Sequence, residues 1–209
     1  FHPFTTYPPL TYSLIGGLSM LPGMSLVPVY KGVLLAAYVG TSLATYVLVR
    51  ELGTGRLWGA FAGVITTLAH PMLVSIGLWG WLSSIAAMPF ALLAFAGLER
   101  AYHRKQIKYA AGGGISLGLA VLTHHMTAFA FGFGLPAWAL FYLIRYPSAR
   151  RHLYRVSVWF VSATVMASIW WVIPWLMNLL DAGFRREVPG LWTFPMRQYI
   201  DAITDASLI

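Results

Sequence analysis

The chain has 209 residues, of which 58% are hydrophobic and 10% charged, and its mean hydropathy is +0.69. A soluble domain carries about 25% charged residues, so this chain lacks the polar surface to cover itself in water and reads as an integral membrane protein. It has no cysteine, which excludes disulfides and thiolate metal sites, and its formal charge of +8 raises nucleic acid only if membrane topology fails to account for it.

The opening stretch His2-Pro-Phe-Thr-Thr-Tyr-Pro-Pro-Leu-Thr-Tyr12 is a stiff, aromatic, hydroxyl-rich elbow. Each proline pushes its predecessor towards an extended backbone. The first residue is Phe, so the sequence reads as processed, truncated or part of something longer, and it shows no signal-peptide n-region and h-region. Leu10 to Leu21 is apolar but too short to cross a bilayer; it fits a helix lying in the interface and ended by Pro22-Gly23. Six stretches then approach the roughly 20 apolar residues of a spanning helix: 28–49, 57–76, 79–98, 107–123, 127–144 and 156–179. The expected fold is all-α, a polytopic transmembrane helix bundle of about six spans plus the short interfacial helix, occupying 1–183, with 1–27 as elbow and interfacial helix. Residues 184–209 form a tail or the start of a further segment, and apolar spacing from Met196 onward suits a short amphipathic helix.

The loops set an orientation. Arg50 and Arg56 lie between the first two spans, Arg100, Arg104, Lys105 and Lys108 between the third and fourth, and Arg145, Arg150, Arg151 and Arg155 between the fifth and sixth. With alternating spans, ten of the 14 basic residues share one face, and the positive-inside pattern makes that face cytoplasmic. Residues 1–27 and 181–209 are then extracytoplasmic, and the charge is explained without nucleic acid. The six acids, Glu51, Glu99, Asp181, Glu187, Asp201 and Asp205, all fall outside the spans or at their ends. Ion-coupled transporters carry carboxylates within the membrane, so this distribution argues against transport. Two short motifs echo each other: "LAHPM" at 68–72 and "LTHHM" at 122–126 both close a Gly- and Ala-rich helix, as a duplicated hairpin would.

This topology gathers polar residues on the outer face. His70, His124 and His125 end spans there, beside Tyr7 and Tyr12 of the elbow, and Asp181, Arg185 and Arg186 follow the sixth span. Such a vestibule suits a phosphate-bearing or sugar-bearing ligand, because the guanidinium fork binds phosphate oxygens bidentately. Each residue also has a structural reading: histidines cap helix ends or meet lipid headgroups, and paired arginines anchor at the interface. No Asp or Glu stands at ligand spacing from the histidines, so no metal is assigned. Trp79, Trp81, Trp170, Trp171 and Trp175 read as an aromatic belt. Gly112, Gly113, Gly114 and Gly118 read as small residues that let helices approach.

The order of features, "YPPLTYSL", then "YVLVRELGTGR", "GLWGWLSSIAAMPFALLAFAGLERAY" and "GLAVLTHHMTAF", resembles the C-type membrane glycosyltransferases over most of residues 1–145. More narrowly, it looks like the prokaryotic membrane group labelled 6-pyruvoyl-tetrahydropterin synthase-related. The resemblance implies transfer of a sugar from a polyprenyl-phosphate carrier at the extracytoplasmic face. The elbow would then be a wall of the substrate cavity, and Arg185 or Arg186 would hold the carrier phosphate. The superfamily's catalytic acid stands on a first outer loop upstream of the elbow, and no acid precedes Glu51 here. Asp181 is the only outer acid next to a span and the weak candidate base. No cofactor is expected within the chain, and a divalent metal would need ligands from outside it. The implied partners are the lipid bilayer and the polyprenyl-phosphate-linked sugar, without nucleic acid. The alternative is a catalytically inactive structural or accessory subunit that scaffolds other membrane subunits.

Overall fold

The computed structural model describes residues 8–69 and 82–181, with side chains as far as Met177. Helix α1, Leu10–Ser19, starts directly after Pro8-Pro9 and stops before Pro22-Gly23, where Gly23 has φ +79°, a conformation that side chains with a Cβ resist. Helix α2, Leu26–Glu51, follows Ser25 and tolerates Pro28 because its first turn needs no backbone donor there. A turn with Gly53 at φ +87° leads into α3, Arg56–Leu68. Helix α4, Leu82–Arg104, contains Pro89, and Lys105 at φ 54° turns the chain into α5, Ile107–Thr123. Then come α6, His125–Gly132, and α7, Gly134–Arg145. A short 3-10 turn, Pro147–Ala149, leads to α8, Arg150–Asp181.

Every regular element among the described residues is helical, as the composition predicts. Four helical stretches are long and apolar enough to cross a membrane: Leu26–Glu51, Leu82–Arg104, His125–Arg145, which joins α6 and α7, and Pro147–Met177, which joins the 3-10 turn and α8. The expected count of six is not reached among the described residues. The stretch expected at 107–123 forms α5, a helix of 17 residues or about 25 Å, and the stretch expected at 57–76 is described only to Ala69. The chain divides into two compact units, Phe1–Val172 and Ile173–Ile209; the described part of the second is the C-terminal end of α8.

The first unit is packed with small side chains inside and large ones outside. Ala87, Ala91, Ala94, Ala101, Ala110 and Ala120 are wholly buried, whereas Leu35, Leu43, Leu57, Phe61 and Val64 are exposed. Water would oppose this arrangement; lipid does not, because hydrocarbon tails are as apolar as leucine and helices gain by close backbone approach. A Cβ on Gly97 would lie 2.7 Å from the Cα of Gly113, which brings α4 against α5. On Gly114 it would meet the carbonyl oxygen of Phe160 at 2.2 Å, and on Gly118 the Cβ of Ala167 at 2.5 Å, which brings α5 against α8. Thr164 donates its hydroxyl across that seam to the Gly114 carbonyl at 3.1 Å. Helices α2 and α3 are joined in the same way: Ser42 donates to the Gly63 carbonyl at 2.7 Å and shares a hydrogen bond with Thr67, whose carbonyl accepts from Tyr38. Gly112 is the exception within the glycine run, since a Cβ there would meet open space. A mid-helix glycine costs about 1 kcal/mol relative to alanine, and no close helix contact accounts for this one.

These contacts give the first unit two chemically distinct ends. At one, the C-termini of α2 and α4 and the N-terminus of α5 meet through Glu51, Arg100 and Tyr109: Glu51 pairs with Arg100 at 3.3 Å, and the Arg100 guanidinium lies 4.8 Å from the Tyr109 ring. Tyr102 of α4 reaches the end of α7 and the start of α8, with ring centroids 6.2 Å from Tyr146 and 5.9 Å from His152. The three basic loops therefore converge on one end of the bundle. At the other end, Ile15 of α1, Val29 of α2 and Leu82 of α4 form one apolar cluster, and α1 also packs on α5.

Candidate functional site

The end remote from the basic loops is built around a helix break. Helix α5 runs to Thr123, whose buried hydroxyl donates to the Leu119 carbonyl at 2.7 Å. His124 then leaves helical geometry, at φ −161° and ψ 99°, while its N–H still bonds the Ala120 carbonyl at 2.8 Å. Its ring turns forward to cap α6: Nδ1 accepts from the Thr127 backbone N–H at 3.2 Å and lies 2.8 Å from the Thr127 hydroxyl. An imidazole nitrogen that accepts a backbone N–H carries no proton, so the ring proton resides on Nε2. Ser84 of α4 places its hydroxyl 3.2 Å from Nδ1 and 3.4 Å from Nε2. Replacing a side-chain cap typically costs about 0.5–2 kcal/mol, so His124 has a structural duty alongside any chemistry.

His125, the first residue of α6, points to a different neighbour. Its ring lies 6.0 Å from that of His124 and 6.0 Å from that of Trp171 on α8, with Phe129 edge-on at 6.2 Å. Trp171 was expected in an aromatic belt; it is buried at 4% exposure, because it fills the gap between α6 and α8. The two adjacent histidines thus diverge, one towards the hydroxyls of Ser84 and Thr127 and the other towards an indole. Tyr12 stands on α1 and is exposed. Asp181 is the last residue of α8. His70, Tyr7, Arg185 and Arg186 lie outside the described residues. Both histidine motifs nonetheless end a helix, at Leu68 and at Thr123, as the sequence echo predicts.

The described structure brings together residues that no local pattern announced. Ser84 meets His124 from 40 positions away, and Thr127 follows it by three, at a position whose N–H is among those a helix start leaves free. A second polar cluster lies at the basic end. Glu99 is 3% exposed, and its Oε1 accepts from the Trp138 indole at 2.7 Å. Its Oε2 accepts from the Tyr142 hydroxyl at 2.6 Å, and His103 Nε2 stands 3.3 Å away. Tyr102 packs at a tilt against Tyr142 with centroids 4.1 Å apart, and His152 donates to the Ala101 carbonyl at 3.3 Å. Sequence reading placed Glu99 at the rim of a loop; a buried carboxylate holding α4 to α7 was not foreseen. The only available signal was the Glu99–His103 spacing of one helical turn. Both carboxylate oxygens are satisfied by neutral donors fixed in the helices, so the cluster is a clamp.

A chain whose described elements are all helical, with several lipid-length helices packed through small-residue seams, is an integral membrane protein in contact with the bilayer. Residues 4–205 match the family described as "6-pyruvoyl-tetrahydropterin synthase related domain; membrane protein", and the chain belongs to that family. No curated protein and no solved structure matches it.

Proposed function

We propose that the chain is a glycosyltransferase-like membrane protein that takes a sugar from a polyprenyl-phosphate carrier, with the His124 break as part of the wall of its sugar-phosphate site. The observation that carries this reading is the break itself. It sets an imidazole and two hydroxyls, Ser84 and Thr127, at the bundle end about 24 Å along α4 from Arg100, beside the elbow helix. Nε2–H is a donor for a sugar hydroxyl or phosphate oxygen, while Nδ1 is committed to the α6 cap. In the transfer, the bond from the sugar's anomeric carbon to the carrier phosphate breaks and the carrier leaves as an anion. The acceptor oxygen bonds to that carbon, and its proton passes to a base, for which Asp181 is the candidate in this chain. Arg185 and Arg186 are the proposed phosphate ligands, and the basic end is the cytoplasmic one.

The second reading, an accessory subunit without turnover, is favoured by one observation. Glu51 and Glu99, the two acids whose side chains are described within the first unit, both lie at the basic end and are already paired or hydrogen-bonded. One experiment separates the two readings. Purified protein in proteoliposomes is given a radiolabelled polyprenyl-phosphate sugar, and both bound carrier and released polyprenyl phosphate are measured. His124→Asn keeps a capping acceptor but removes the imidazole, so it should retain the thermal unfolding of the parent and bind the carrier about tenfold more weakly, the loss of one charge-assisted hydrogen bond. Unchanged carrier binding in His124→Asn removes the histidine from the site; absence of carrier binding by the parent protein leaves the accessory reading.

A further inference from the structure

A groove at the basic end has no role in the sugar-carrier reading and stands independently of it. It has a volume of about 190 Å³ and is walled by Val47 of α2, Leu93 of α4 and the glycine run of α5, with Glu51, Arg100 and Tyr109 at its mouth. Small-molecule sites measure roughly 300–1,000 Å³, so an occupant must leave most of its bulk outside. From Tyr109 to Ser116 the groove extends about 10 Å along α5, towards the middle of the helix. Gly112 lines it, and the open space at Gly112 is the groove. Gly113 and Gly97, by contrast, are needed for backbone contact between α4 and α5. The mouth is cationic: Arg100 and Lys108 lie 4.8 Å and 5.2 Å from the same Tyr109 ring, against the single carboxylate of Glu51.

We propose that this groove is a binding site for an anionic glycerophospholipid, with one acyl chain lying on Gly112 between Val47 and Leu93 and the headgroup phosphate at Arg100 and Lys108. An apolar slot in a bilayer-spanning bundle is filled by hydrocarbon, and the two cations select an anionic headgroup over a zwitterionic one. Glu51 competes for Arg100, so phosphate binding exchanges one partner of that guanidinium for another.

The test uses delipidated protein in detergent, titrated with phosphatidylglycerol or with phosphatidylcholine of the same chains, and bound lipid is counted by native mass spectrometry. Each surface cation weights anionic lipid about fivefold, and the competition from Glu51 reduces the pair to an expected preference of roughly tenfold for phosphatidylglycerol. Gly112→Leu puts its Cβ in open space and its side chain into the groove, and should lower phosphatidylglycerol affinity at least about tenfold, the effect of removing several buried methylenes. Ser116→Leu, one turn on, fills the same groove and serves if Gly112→Leu does not fold. Gly32→Leu, which also meets open space but on the outer face of α2, should leave affinity unchanged. Glu51→Gln should raise it by freeing Arg100. Equal binding of the two lipids, or equal effects of Gly112→Leu and Gly32→Leu, would overturn the proposal. So would binding of a polyprenyl phosphate in place of phosphatidylglycerol.

Discussion

Removing the Glu99 carboxylate should loosen the bundle at the seam between α4 and α7, and the size of the effect follows from its partners. Trp138 donates at 2.7 Å and Tyr142 at 2.6 Å to opposite oxygens of a residue that is 3% exposed. A hydrogen bond to a charged group is worth about 1.5–3 kcal/mol in water-soluble proteins. Within membrane bundles, side-chain hydrogen bonds average about 0.6 and reach about 1.7 kcal/mol. Two bonds to one buried carboxylate therefore place Glu99→Ala at about 2–3 kcal/mol of lost stability, since the Trp138 indole loses its acceptor and Tyr142 keeps only the longer contact to His103 Nε2 at 3.3 Å. Glu99→Gln keeps one oxygen but turns an NH₂ towards the second donor, and should cost about 1–2 kcal/mol. His103 contributes less, because its side chain is about half exposed and solvent screens that side of the pair. The assay is equilibrium unfolding in mixed micelles, run as a double-mutant cycle with Trp138→Phe. A coupling of about 1 kcal/mol between positions 99 and 138 is expected, in the range for residues in contact. A Glu99→Gln protein within about 0.5 kcal/mol of the parent, additive with Trp138→Phe, would refute the clamp.

The glycine run separates two opposite outcomes. Gly114→Ala forces a Cβ against the Phe160 carbonyl and should destabilise by about 1–3 kcal/mol, whereas Gly112→Ala should be neutral or stabilise by up to about 1 kcal/mol, both read from the same unfolding curves. Because the chain has no cysteine, single-cysteine labelling is clean. Cysteines at Thr54 and Lys105 should react with an impermeant reagent from one side of the membrane and one at Met20 from the other; labelling of all three from a single side would end the two-ended bundle. Ser42→Ala removes the donor to the Gly63 carbonyl and should cost about 0.6–1.7 kcal/mol, checked by unfolding against Ser116→Ala, which bonds only its own helix and should change stability less.

Helix existence was legible where a boundary carries a local signal. Pro22-Gly23, Gly53 and Pro147 stand between helices, the two glycines at positive φ, and basic residues flank Gly53 and Pro147. The expected stretches at 28–49 and 107–123 accordingly fall within α2 and on α5. The break inside 127–144, between Gly132 and Gly134, was not anticipated, since glycine occurs both inside helices and between them. His124 was identified as a span-ending histidine; its role as the cap of α6 and its meeting with Ser84 depend on a backbone turn and on a residue 40 positions away.

Hydropathy and charge by themselves determined that this chain lives in a bilayer, that it is helical, and that its basic loops belong together, because transfer of apolar surface and of charge depends on composition along the chain and not on partners. Which members of a run of similar residues do which work was decided only by tertiary structure. Gly113 and Gly114 touch neighbouring backbones while Gly112 opens a groove, and Glu99 is buried among donors while Glu51 pairs with Arg100 at the groove mouth. In a helix, adjacent positions differ by about 100° in direction, so the rotation of each helix against its neighbours, which no local signal encodes, assigns every one of those roles.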